Sequence, residues 1–418
     1  MTEFAVTTNG YFWFVMLTVV GFFLLDLFAN WLNVHALKER VPDEFTDVFD
    51  AEKYAKSQAY TRATTRFGML ESALSLLIFV VFWCVGGFGW MDHLVRGWVS
   101  SEILRGLIYV GLLFVAGQLI NLPFQLYDTF VIEERFGFNK TTLQTFILDH
   151  VKSLVLSVLI GAPLMAVIFY LFERFDTSAW LYGWIAVASF SVLLSYLAPP
   201  LILPLFYKLT PLGEGELKTA IQAMSQKCAF PLQEVYEIDG STRSTKSNAF
   251  FTGFGKNKRI ALYDTLIKNH SVGELVAVLA HEIGHFRRRH IIKNLVLGII
   301  QMGIMFFLIG LFLNNRGLFD AFGVQELSVY ASLVLFFMLY EPISKLLSVG
   351  MMMLSRRHEF EADAYAAEVT GAPDDLVKGL KKLAEHNLSN LTPHPFFVFV
   401  NYSHPPLMDR IAALRSLA

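Results

Sequence analysis

Between Gly273 and His290 the chain reads GELVAVLAHEIGHFRRRH, and within it His281, Glu282 and His285 have the types and spacing for metal chemistry. Residues four apart share a helix face, so the two imidazoles can point at one centre. Zinc takes nitrogen, sulfur or carboxylate donors in a tetrahedron and, in a catalytic site, keeps one position for water. Glu282, next to the first ligand, projects close to that water. It can take the water's proton during attack and later pass it to a leaving amine. Two histidines flanking a glutamate also arise on helices that bind nothing. Here Leu275, Val276, Val278, Leu279 and Ile283 make the helix apolar, so something such as a metal must compensate three buried ionisable groups.

A third protein ligand has to come from downstream. Glu359, in the stretch RRHEFEAD from Arg356 to Asp363, is the best candidate, on a helix continuing from the last apolar span. Asp363 is four residues on and shares its face, where it can accept the second N–H of a ligating histidine and fix its tautomer. Glu361 points the other way. Seen alone, such a stretch also reads as a solvated acidic helix start paired with Arg356 and Arg357.

The elements that must carry these residues are set by composition. Of 418 residues, 54% are hydrophobic and only 17% charged, which defines a membrane protein. The 34 basic and 36 acidic residues give no strongly basic surface, so no nucleic-acid partner is expected. Cys84 and Cys228 fall in segments of different kind and read as free thiols. The fold expected is mainly α, with about seven transmembrane helices: five in residues 1–207 and two in residues 291–350. The edges least defined are at Pro199, Pro200 and Pro204, which should kink or end the fifth span.

Between the fifth and sixth spans, residues 208–290 read as a small α+β region ending in the histidine helix. A helix is expected over residues 214–228 and strands over residues 235–238 and 259–263, with Asn248, Ala249 and Phe250 between them. A strand edge beside a metal site can hold an extended peptide by main-chain hydrogen bonds; an ordinary hairpin is the plainer reading. Residues 351–418 form a C-terminal region with the third ligand. Short loops rich in lysine and arginine stay cytoplasmic. Lys38, Arg40, Lys53, Lys56, Arg62 and Arg66 follow the first span, and Arg135, Lys140 and Lys152 follow the third. The N-terminus is therefore expected outside, with the polar region, the zinc helix and the C-terminus in the cytoplasm.

Taken together, HEIGH at 281–285 and EFEAD at 359–363, two hydrophobic spans apart, resemble the type I CAAX prenyl proteases, a family of integral-membrane zinc endopeptidases. EERFGFNK at 133–140, the strand beginning Ser247-Asn248-Ala249-Phe250, and His404-Pro405-Pro406 with Arg410 are similar to other marks of that family, so the likeness covers nearly the whole chain. It implies one zinc ion held by His281, His285 and Glu359, with Glu282 as general base and Asp363 and Arg410 bracing the ligands. It also implies that His404 stabilises the oxyanion and that Asn248, Ala249 and Phe250 hold substrate. Read singly, His404 is a loop histidine and Arg410 a basic residue near a helix end.

The resemblance further implies an α-barrel of seven helices around a large chamber inside the membrane. Asp26, Glu71, Gln118, Asn121, Gln125, Asp128 and Glu341, all in or beside apolar spans, would suit such an interior. Expected partners are protein or peptide substrates, prenylated at a C-terminal CAAX sequence, and membrane lipid. The chain lacks the long inserts and tails associated with eukaryotic members, so a prokaryotic homologue in a bacterial inner membrane, rather than the endoplasmic reticulum, is expected. One alternative is a quality-control zinc protease with unprenylated membrane clients. A remoter one is a seven-helix transporter or receptor with structural zinc, which leaves Glu282 without a role.

Overall fold

In lipid a backbone has no water to bond to, so each long apolar run must satisfy its own amides as a helix. The computed structural model describes residues 4–252 and 258–417. Four of its long helices begin where a side chain caps the first turn. Asn9 opens α1 (Gly10–His35) by accepting from Phe12 N, and Asp50 opens α2 (Ala51–Cys84) by accepting from Lys53 N. Helix α3 (Glu102–Tyr127) runs on through a π-helical turn, Asp128–Glu133, to Phe136. Thr142 caps α4 (Leu143–Arg174), and α5 (Ala179–Leu201) carries Pro199 and Pro200 in its last turn before the helix stops.

Helix α6 (Glu216–Lys227) and α7 (Val272–Arg287) belong to the polar region; α8 (His290–Phe312) returns to the apolar layer. Helix α9 (Val329–Thr370) is followed by α10 (Pro373–His386) and α11 (Leu407–Arg415). Among the described residues seven helices, α1 to α5 with α8 and α9, are long and apolar enough to cross a membrane. Two extend well past their apolar runs. Helix α2 starts 18 residues before Met69, and α9 continues past the hydrophobic stretch to Thr370.

The seven helices close a ring. Helix α9 touches α1, α1 touches α2, and α2 meets α3 through the π-helical turn; α3, α4, α5 and α8 follow in order back to α9. In no helix is more than 28% of the most apolar window buried in protein, so these are staves of an α-barrel rather than a close-packed bundle. The seven polar residues expected in an interior all remain accessible. Asp26 lies 3.2 Å from Lys345, and Gln125 is 2.7 Å from His150 Nε2. One end of the barrel is filled by Trp83, Tyr109, Phe169, Phe322 and Tyr330. At the other end a separate core joins the polar region to α7, α10 and α11.

That second core includes a four-stranded sheet of order β1 (Leu209–Pro211), β2 (Leu232–Ile238), β4 (Lys258–Tyr263), β3 (Ala249–Thr252). Strands β2 and β4 are parallel, while β3 and β4 form an antiparallel hairpin that leaves β3 at the edge. The approach to β3 is held from the membrane side. Ser244 bridges to Asn139, Thr245 N donates to Phe138 O at 3.0 Å, and Lys246 Nζ lies 2.9 Å from Glu133.

Candidate active site

Helix α7 starts at a capping box in which Ser271 and Glu274 satisfy each other's free amides, and Lys382 Nζ sits 2.8 Å from Glu274. Its apolar face, with Leu275, Leu279 and Ile283, is buried in this second core. The helix meets α9 along Ala280 and Gly284, with Gly284 at the closest approach. A Cβ there would stand 3.1 Å from both Cα and O of Ala362 and 3.2 Å from the Tyr365 ring, so any larger residue would push the two helices apart by a few tenths of an ångström. The close crossing is what brings Glu359 and Asp363 to the histidines.

His281 Nδ1 lies 2.8 Å from Asp363 Oδ1, which gives that nitrogen the ring proton and leaves Nε2 facing inwards. His285 Nε2 faces it at 3.1 Å, too close for two lone pairs with no cation between them. Glu359 places Oε1 3.3 Å from His285 Nε2 and Oε2 3.5 Å from His281 Nε2. Oε2 is buried and has no hydrogen-bond partner. One donor atom from each of the three residues lies within 4.8 Å of the others. Two imidazole nitrogens and a carboxylate converging on one point, with an orphaned oxygen among them, fit a divalent metal ion.

The surroundings favour positive charge at that point. Burial opposes protonation of His281, yet the neighbouring carboxylates of Asp363 and Glu359 outweigh it and push its pKa up to about 9. Burial also pushes the Glu282 carboxyl above the ordinary glutamate value, against the pull of His281 and His285. Such a group is suited to taking a proton and giving it back. Arg410, from α11, donates to both Asp363 oxygens at 2.7 and 2.8 Å, and its Nη1 is 3.4 Å from Glu359 Oε2. His404 reaches the site from the exposed side, Nε2 3.5 Å from Glu359 Oε1.

Asn248 and Ala249 stand apart: among the described residues no hydrogen bond or ion pair links them to the histidine–carboxylate cluster. Asn248 O accepts from Tyr263 N at 3.1 Å, and Ala249 and Phe250 pair with Leu262 and Ala261 through the backbone. Three neighbours have no counterpart in the sequence reading. Besides Gly284, these are His290, whose Nδ1 is 3.0 Å from His285 Nδ1, and His358, stacked on His290 at 3.9 Å. Glu361 does face away from His281, and meets His290 Nε2 at 3.1 Å. A histidine five residues beyond His285 lies off its helix face, so spacing alone hides it. Helix α7 ends at Arg287 and Arg289 takes a left-handed conformation (φ 58°), which turns His290 back.

A barrel of membrane helices with a metal-ligand cluster and a neighbouring glutamate at one end defines an integral-membrane metalloendopeptidase. Residues 30–208 match the family model described as CAAX prenyl protease N-terminal, five membrane helices, and residues 211–418 match peptidase family M48. The chain belongs to the CAAX prenyl protease 1 family. It is 36% identical to a probable CAAX prenyl protease 1 of Schizosaccharomyces pombe, over 94% of this chain and 86% of that one. It is 35% identical to the CAAX prenyl protease 1 homolog of Arabidopsis thaliana, over 96% and 97%. The crystal structure of S. mikatae Ste24p superposes with a TM-score of 0.92 at 32% identity, covering 98% of this chain and all of that one.

Proposed function

We propose that the chain is a zinc endopeptidase that cleaves near the C-terminus of prenylated CAAX-type proteins at the cytoplasmic face of its membrane. The observation that carries the reading is the convergence of His281, His285 and Glu359 beside the partly buried Glu282. His281 Nε2, His285 Nε2 and one Glu359 oxygen would hold the zinc. When bound, the ion lowers the pKa of a water and polarises a carbonyl. Glu282 takes the proton of the attacking water on its carboxylate and delivers it to the leaving amine. His404, reaching in from the accessible side, donates from Nε2 to the carbonyl oxygen as negative charge builds there. Asp363 holds the proton on His281 Nδ1, and Arg410 holds Asp363. The free edge of β3, at Asn248, Ala249 and Phe250, aligns an extended substrate through its backbone.

The relatives named above are CAAX prenyl proteases, which supports a CAAX-type substrate. The basic loops after the first and third spans support a cytoplasmic site and an outside N-terminus. The test is cleavage of a farnesylated CAAX peptide and its unprenylated twin by purified wild type and Glu282→Gln, with metal content measured in both. The expected result is one zinc in each, cleavage of the farnesylated peptide by wild type, and at least a hundredfold loss in Glu282→Gln. Equal cleavage of both peptides would move the clients to unprenylated membrane proteins. Turnover unaffected by Glu282→Gln would overturn the mechanism.

A further inference from the structure

Behind His285, on the side away from the ligand cluster, a second set of side chains forms a continuous chain. His285 Nδ1 is 3.0 Å from His290 Nδ1, His290 Nε2 is 3.1 Å from Glu361 Oε2, and Glu361 Oε1 is 3.1 Å from Arg357 Nε. His290 is buried, and His358 stacks flat on its ring with 11° between the planes. Four groups from the start of α8 and from α9 are therefore spent on the orientation of one imidazole. The hydrogen-bond polarity follows from the geometry. His285 Nε2 faces the cluster and must keep its lone pair there, so Nδ1 carries the proton and donates to His290 Nδ1. His290 then carries its own proton on Nε2 and donates it to Glu361.

We propose that His290 and Glu361 are positioning residues for His285, fixing its tautomer and ring angle as Asp363 and Arg410 do for His281. The proposal rests on reading His285 as a metal ligand. On this account the site is braced on both sides by unlike devices: a carboxylate held by a buried arginine for one histidine, and a second histidine held by an outer carboxylate for the other. The left-handed turn at Arg289 exists, on this view, to fold His290 back onto the helix it has just left.

The test uses the full chain in detergent, freed of metal and titrated with Zn²⁺ against a chromophoric chelator, with Co²⁺ absorption as a second readout. His290→Phe keeps a ring to stack on His358 but accepts nothing from His285. Its Zn²⁺ affinity should fall 10- to 100-fold and its Co²⁺ spectrum should shift, while the metal-free protein melts near wild type. His290→Asn, which restores an acceptor, should recover most of the affinity. Glu361→Gln, still an acceptor for His290, should bind as wild type, and Glu361→Leu should be weakened between those limits. Wild-type affinity and spectrum in His290→Phe would overturn the proposal. Should that variant fail to fold, the same result in Glu361→Leu, at a partly exposed position, would do so. His285→Ala separates the two readings. If it holds Zn²⁺ like wild type, the ligand assignment itself fails; if it loses the metal while His290→Phe does not, only the positioning role fails.

Discussion

Arg410 is buried with its charge answered by Asp363, and Asp363 is buried with its charge answered by Arg410 and His281. Removing one member of such a set strands the other, at about 3–5 kcal/mol, whereas removing both is far cheaper. Asp363→Ala should therefore lower the melting temperature and weaken zinc binding 10- to 100-fold. Adding Arg410→Leu should restore much of the melting temperature but none of the affinity, because His281 still lacks an acceptor for Nδ1. Thermal melts and chelator competition on the single and double variants check both halves; parallel recovery of stability and affinity would contradict them. Of these residues, the pairs His281 with His285 and Glu359 with Asp363 are legible because residues four apart share a helix face, and Glu282 because it adjoins His281. His404 and Arg410 lie more than a hundred residues beyond His281, and no local period points them at the site; only the family likeness implied them. His290 escaped because its position depends on a backbone turn at Arg289 that three arginines in a row do not announce.

At the scale of elements, the site is a crossing of two helices, and Gly284 sets their distance. The atoms a Cβ would meet belong to the Ala362 backbone, which cannot swing aside as a long side chain could. Gly284→Ala gains about 1 kcal/mol of helix propensity but adds overpacking worth about 1–3 kcal/mol, so the net effect should be a small loss of stability. Gly284→Val should do worse and, by pushing α9 away, should separate Glu359 from the histidines and weaken zinc at least tenfold. Gly298→Ala in α8, with open space around it, should leave affinity unchanged and should not lower the melting temperature, since the propensity gain meets no overpacking. If Gly284→Val melts lower yet binds zinc normally, the crossing does not set the ligand geometry. The apolar spans and the strands of the polar region follow from hydropathy and alternation, and the sequence shows them. It does not show that α2 begins at Ala51, since that first half is not part of the continuous apolar run that starts near Met69, nor that residues 209–211 form β1, because three residues ending in proline carry no period.

For the whole molecule, the two ends of the barrel differ in how many basic residues they carry. At the end expected outside, Arg96 is paired with Asp92 at 2.8 Å and Glu326 at 2.9 Å, Arg105 with Glu102 at 2.5 Å, and Arg316 with Asp320 at 2.7 Å. The lysines and arginines counted for the cytoplasmic side lie instead between α1 and α2, on α2, in the segment after α3 and in the first half of α4. Lysine and arginine near the span ends resist translocation, so this asymmetry should fix the orientation with the peptidase region inside. Two exposed positions report on it. Ser100 lies in the turn before α3, and Lys378 is on the exposed face of α10. In a Cys84→Ser background, where the remaining Cys228 is buried, Ser100→Cys should react with a membrane-impermeant maleimide on sealed right-side-out vesicles. Lys378→Cys should react only after the vesicles are opened with detergent. The reverse pattern would put the catalytic end outside. Substrates whose lipidated C-termini lie on the cytoplasmic leaflet would then be unable to reach it, and the proposed CAAX activity would fall with the topology.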